Sequence, residues 1–80
     1  MNIGEAVKER ILELCSKHDI SINKLCSMSG VTQSTVNNII SGRNRSATVS
    51  TIKKLCDGLG ITIEDFFNSE LFRNLEQEIK

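Results

Sequence analysis

Between Ser21 and Ser41, two short apolar patterns of helical period meet at a single glycine. The run SINKLCSMSGVTQSTVNNIIS places Ile22, Leu25, Cys26 and Met28 before Gly30, and Val36, Ile39 and Ile40 after it. A glycine at such a junction reads as a left-handed C′ position, where a residue with a Cβ meets steric strain. Ser21 and Thr32 precede the two patterns as N-caps, because a hydroxyl there accepts a first-turn backbone N–H. The spacing predicts helices over about 22–29 and 33–41, each with one inner face. No strand-like alternation persists anywhere in the chain.

The remaining elements follow the same period. A first helix is expected from about Gly4 to Lys17, with Ile3, Val7, Ile11, Leu14 and Cys15 on one stripe. Thr48 caps a fourth helix that ends near Asp57 to Gly58 and buries Val49, Ile52, Leu55, Cys56 and Leu59. Thr62 with Asp65 three residues later reads as a capping box for a short fifth helix holding Phe66 and Phe67. From Ser69 onward, Leu71, Phe72, Leu75 and Ile79 recur at helical spacing with acids opposite. The expected architecture is all-α: a five-helix domain over 1–68 and an amphipathic C-terminal helical extension over 69–80. At 80 residues the chain supports one small core. Dimerisation or partner binding would add burial that such a core needs.

Charge is polarised although it sums to zero. Residues 21–56 carry five basic groups (Lys24, Arg43, Arg45, Lys53, Lys54) and no acid, whereas residues 57–80 carry two basic and six acidic groups. It is the local patch that meets a phosphate backbone. The cysteines Cys15, Cys26 and Cys56 lie at apolar helical positions without C-x-x-C spacing, so they read as small core residues rather than ligands. His18 stands alone and reads as a surface residue. No segment approaches the roughly 18 apolar residues of a membrane span, and the charged N-terminus does not resemble a secretory signal. A cytoplasmic protein is therefore expected, with no cofactor, metal or small-molecule ligand evident. Nothing in the sequence suggests an enzyme, and Gly58-Leu-Gly60 reads as a helix-ending turn rather than a nucleotide fingerprint.

The third helix carries the functional signal. Stepping about 100° per residue gathers Gln33, Asn37, Ser41, Ser34 and Asn38 on one side, with Val36, Ile39 and Ile40 on the other. Solvated helix faces are usually rich in Lys and Glu, while Asn, Ser and Thr lower helix propensity without adding packing. A side-chain amide presents a donor and an acceptor together, the combination that pairs bidentately with an adenine edge in the major groove.

On these residues the chain resembles the lambda-repressor-like, Cro/cI-type (XRE) helix-turn-helix family over about Ile3 to Phe67. The anchors Leu25, Gly30, Val31, Val36 and Ile39, and the downstream segment TVSTIKKLCDGLGITIEDFF, carry the resemblance. It implies a transcriptional regulator whose third helix enters the major groove. Position by position, Gln33, Ser34 and Asn38 match base-reading places, with Asn37 beside them. Thr32, Ser41, Arg43 and Arg45 match phosphate-contacting places, and Ser21 and Asn23 at the start of the second helix are further candidates. The chain departs from the family where Cys15 and Ile40 replace a common buried ion pair. That exchange is coherent, because packed hydrophobes can substitute for such a pair without loss of stability.

One copy reads few base pairs, so a homodimer on a pseudo-palindromic DNA operator is expected. Its interface is expected to use Phe66, Phe67, Leu71, Phe72, Leu75 and Ile79. The other arrangement for the stripe is packing back on its own domain. A separate reading is an antitoxin-like interaction module whose acidic C-terminal region covers a small protein partner.

Overall fold

The computed structural model describes residues 1–42 and 47–79, and over them the chain is helical with no strand. Five α-helices run in order: α1 (Ile3–Lys17), α2 (Ile22–Ser29), α3 (Gln33–Ile40), α4 (Val49–Leu59) and α5 (Ile63–Phe67). A single 3-10 turn, Glu70–Phe72, follows. Each α-helix begins at a side-chain cap: Asn2, Ser21, Thr32, Thr48 and Thr62 accept N–H groups of their own first turns. Asn2 starts α1 one residue earlier than apolar periodicity suggests, and Glu5 completes a capping box with it.

Three described glycines, Gly30, Gly42 and Gly60, take left-handed φ, and two of them end helices directly. Gly30 (φ 66°) ends α2, and Gly60 (φ 73°) ends α4. The fourth helix therefore runs to Leu59, past the Asp57–Gly58 end expected from sequence. Gly58 lies inside that helix because α2 packs against it. A Cβ at Gly58 would stand 2.2 Å from Ser29 Oγ and 3.0 Å from Ser29 Cα, and α2–α4 is the most extensive helix pairing. Ser29 Oγ is buried there without a hydrogen-bond partner among the described residues.

One core joins all five helices: Val7, Ile11, Leu14 and Cys15; Leu25 and Cys26; Val36 and Ile39; Ile52, Leu55, Cys56 and Leu59; and Phe66. Cys15 is buried in this cluster and Ile40 packs half-buried against it, so both replacements of the family's ion pair serve the apolar interior. Two expectations of burial fail. Val49 is 74% exposed and Met28 is 42% exposed. Val49 is the first residue of α4 and lies at the margin of its inner stripe, while Leu25 and Cys26 already fill the inward arc of α2.

The tail also departs from expectation. Beyond the 3-10 turn, residues 73–79 form no helix, since Asn68 leaves helical geometry (ψ 73°) and Ser69 is extended. So short a segment is a marginal helix alone, and the 3-10 turn that precedes it docks against α1. Phe72 packs on the core, with its ring centroid 4.9 Å from Phe67 and 6.2 Å from Phe66. The Glu76 N–H donates to the Met1 carbonyl at 3.2 Å. Within the single chain, Phe72 packs back on the domain while Ile79 stays exposed.

An arginine closes the seam between α1 and α5. Arg10 is 8% exposed. Its Nε donates to the Phe66 carbonyl and its Nη2 to the Asp65 carbonyl, each at 2.7 Å, while Nη1 pairs with Glu13. The last carbonyls of a short helix thus find buried donors. Replacing a buried ion pair by hydrophobes can be neutral when both partners go, but backbone carbonyls cannot be removed. Arg10→Met is therefore expected to destabilise the fold by about 2–4 kcal/mol, through charge-assisted bonds lost to the buried Phe66 carbonyl and the part-buried Asp65 carbonyl. Urea unfolding measures it, and a midpoint equal to that of the parent chain would refute the clamp.

Candidate nucleic-acid interface

The outer face of α3 is set by its inner one. Val36 (0% exposed) and Ile39 (4%) are held in the core, which turns Gln33, Ser34, Asn37 and Asn38 to solvent, all four exposed. Among the described residues, side-chain hydrogen bonding around α3 involves Thr32, Thr35 and Ser41. The amides of Gln33, Asn37 and Asn38 and the Ser34 hydroxyl make no side-chain hydrogen bond to another described residue. Thr32 caps the start of the helix, accepting the Thr35 N–H at 3.2 Å, and Ser41 caps its end, donating to the Asn38 carbonyl at 3.3 Å. Ser21 caps α2 at the Lys24 N–H, and Asn23 is exposed two residues further on. Arg43 and Arg45 lie outside the described residues.

Thr35 was not singled out from sequence, yet its hydroxyl lies 2.9 Å from that of Thr32. The same Thr-x-x-Thr pairing recurs at Thr48 and Thr51. The repeated tetrads TQST and TVST are the signal that could have found it.

Electrostatically the helix starts divide into two kinds. The first turns of α1 and α5 contain acids (Glu5; Glu64 and Asp65), which offset the positive end of the helix dipole. The first turns of α2, α3 and α4 contain none. Those three helices keep positive N-terminal ends suited to an anion. Lys24 and Lys54 are exposed. Lys53 is engaged by Asp57 one turn away, whose hydrogen bond and charge raise its pKa.

The interfacial residues expected of a dimer are distributed unevenly. Phe66 is fully buried within its own chain (0% exposed) and offers no surface to a partner, which corrects its assignment. Phe67 is 37% exposed, Leu71, Phe72 and Leu75 are half-buried, and Ile79 is 87% exposed. Ile63, also 37% exposed, lies one turn before Phe67 on α5 and was missed because its exposure depends on how α5 docks. A half-open cleft of about 230 Å³ between Arg10, Leu14 and Lys17 of α1 and Ile61, Asp65 and Asn68 belongs to the α1–α5 seam, away from α3.

Two short helices joined through a left-handed glycine, the second presenting an uncharged polar arc, define a helix-turn-helix protein. The Cro/C1-type HTH DNA-binding domain matches residues 10–70, and the chain belongs to that family. It is similar to the crystal structure of the prophage Lp1 protein 11, at 37% identity and a TM-score of 0.82. That match covers 94% of this chain and 100% of the other. No curated protein sequence matches it significantly. Among the described residues, no helix is long and apolar enough to cross a membrane.

The cysteines serve the core. Burial pushes the thiols of Cys15, Cys26 and Cys56 above the ordinary range, with neighbouring Cys26 adding to the rise at Cys15 and Asp57 at Cys56. A raised pKa leaves less thiolate at neutral pH, and the thiolate is the reactive form. Thiol-specific disulfide reagents should therefore label these residues only at the rate at which the fold opens. Immediate labelling of the native protein at pH 7 would contradict their burial.

Proposed function

We propose that the chain is a sequence-specific transcriptional repressor that acts by occupying a pseudo-palindromic operator as a homodimer. The observation that carries this reading is the exposed arc of Gln33, Ser34, Asn37 and Asn38 on α3, uncharged and turned away from the core. In the major groove these four side chains read base edges, the amides serving best at adenine. Ser21, Asn23, Thr32 and Ser41 meet phosphates at the uncompensated starts of α2 and α3 and at the end of α3. Arg43 and Arg45 add charge that is independent of sequence. Dimerisation uses the apolar surface of Phe67 with Leu71, Phe72, Leu75 and Ile79, and Ile63 extends it. Two copies on half-sites roughly 34–36 Å apart then read enough sequence to be selective.

A second reading is favoured by the acidic stretch after Asp57 and by the exposed Ile79 among Glu76 and Glu78. That surface suits a small basic protein covered in the manner of an antitoxin, and such a role is compatible with operator binding. Co-purification with a basic partner, abolished by charge reversal at Glu76 and Glu78, tests it.

Selection of bound duplexes from a random pool tests the main reading, and a symmetric consensus is expected. On that consensus, Asn38→Ala should weaken binding by about 1–3 kcal/mol and relax preference at one base pair. Equal losses on consensus and random duplexes would overturn base reading by Asn38. Ser21→Asp separates fold from phosphate contact. Asp caps a helix about as well as Ser and adds a favourable charge to the dipole, so thermal stability is maintained or rises. The same charge repels phosphate, so affinity for all duplexes should fall together. Unchanged affinity in a salt titration would remove the α2 start from the interface.

A further inference from the structure

We propose that residues 69–79 are an exchangeable strap, and that a second copy of this chain both receives it and supplies its replacement. The tail carries a stripe written for a helix, yet after Phe72 it lies in irregular backbone, with Ile79 left 87% exposed. Local pattern and observed conformation disagree, which marks a segment with a second arrangement available. Beyond the turn that docks on α1, its attachments among the described residues are few. Phe72 lies over Phe66 and Phe67, Leu71 and Leu75 are half-buried, and the Glu76 N–H reaches the Met1 carbonyl at 3.2 Å. The rim ion pair between the Met1 ammonium and Glu76 spans 3.5 Å with the Glu76 side chain 68% exposed, so it adds little.

What the strap covers commits the site to one occupant. Phe66 is fully buried, and its ring packs against Phe67 and Phe72. Lifting Phe72 uncovers an aromatic seat shaped for a phenylalanine in this register. The tail of another copy restores every contact that the first tail gave up, so exchange carries little enthalpic penalty. The segment Asn68–Ser69, already non-helical, is the hinge.

Tethering decides when exchange occurs. A chain's own tail competes at an effective concentration of about millimolar, so the closed form dominates in dilute protein. Two copies on neighbouring half-sites sit roughly 34–36 Å apart. Phe72 lies four residues past Asn68, a reach of about 14 Å when extended, so exchange requires the C-terminal ends of the two α5 helices to face each other between the half-sites. The exchange deepens the homodimer proposed above and rests on it.

The test uses the unaltered chain, so misfolding of a variant cannot blur it. Isotope-labelled and unlabelled copies are mixed at millimolar concentration, and isotope-filtered NMR records contacts that cross between molecules. Phe72-to-Phe66 contacts between copies are expected, together with a mass in solution that rises from monomer to dimer over the same concentrations. A dimer whose Phe72–Phe66 contacts are entirely intramolecular would overturn the exchange while leaving the homodimer intact. A monomer at every concentration would overturn both. Neither result bears on base reading by α3.

Discussion

The inward burial of Val36 and Ile39 is the constraint on which the functional face depends. An eight-residue helix cannot hold itself in water, so α3 exists because two aliphatic side chains are fixed in the core shared with α2 and α4. Once they are fixed, the direction of every other side chain on α3 follows from the helical period. The left-handed Gly30 lets the chain reverse within a few residues and present α3 against α2. Gly58 contributes from the other side, allowing α2 to approach α4 closely enough to bury the end of the turn.

Much of this was legible in the residues, and for a physical reason. Caps, left-handed glycines and apolar period are local properties, so Ser21, Thr32, Thr48 and Thr62 announced their helices before any packing was known. The exposed arc of α3 was equally legible, because the opposite face is unambiguously aliphatic. Failures fell where tertiary docking decides. Met28 and Val49 are apolar and near helical register, yet neighbours that already fill the core leave them in water. Phe66 and Phe67 are adjacent and chemically identical, and only the placement of α5 buries one and exposes the other. Arg10 reads as one more surface charge on α1, because its partners are carbonyls 55 and 56 residues away.

A neutral chain can still serve an anionic partner when its charges are sorted by element. Acids stand where α1 and α5 begin, and the carboxylates of Glu5 and Asp65 are engaged in capping boxes there. Hydroxyls alone stand where α2, α3 and α4 begin. Hydroxyl caps satisfy a backbone donor without cancelling the dipole, which leaves stability intact and the field outward. Net charge and pI hide this division, since both sum over faces that never meet the same partner.

The tail joins stability to association through the same few side chains. Arg10 holds the Asp65 and Phe66 carbonyls, which sets where Phe66 sits, and Phe66 sets the seat for Phe72. A small domain gains by covering that seat, because an uncovered aromatic core would expose apolar area worth roughly 25 cal/mol per Å². Covering it with a tail that makes few backbone hydrogen bonds beyond Arg73 keeps the cover removable. A longer, well-capped helix in that place would have sealed the domain and left a second copy nothing to exchange. The mismatch between helical pattern and irregular path is thus the physical basis of the exchange proposed above, since the cover over Phe66 is held by side chains more than by backbone bonds.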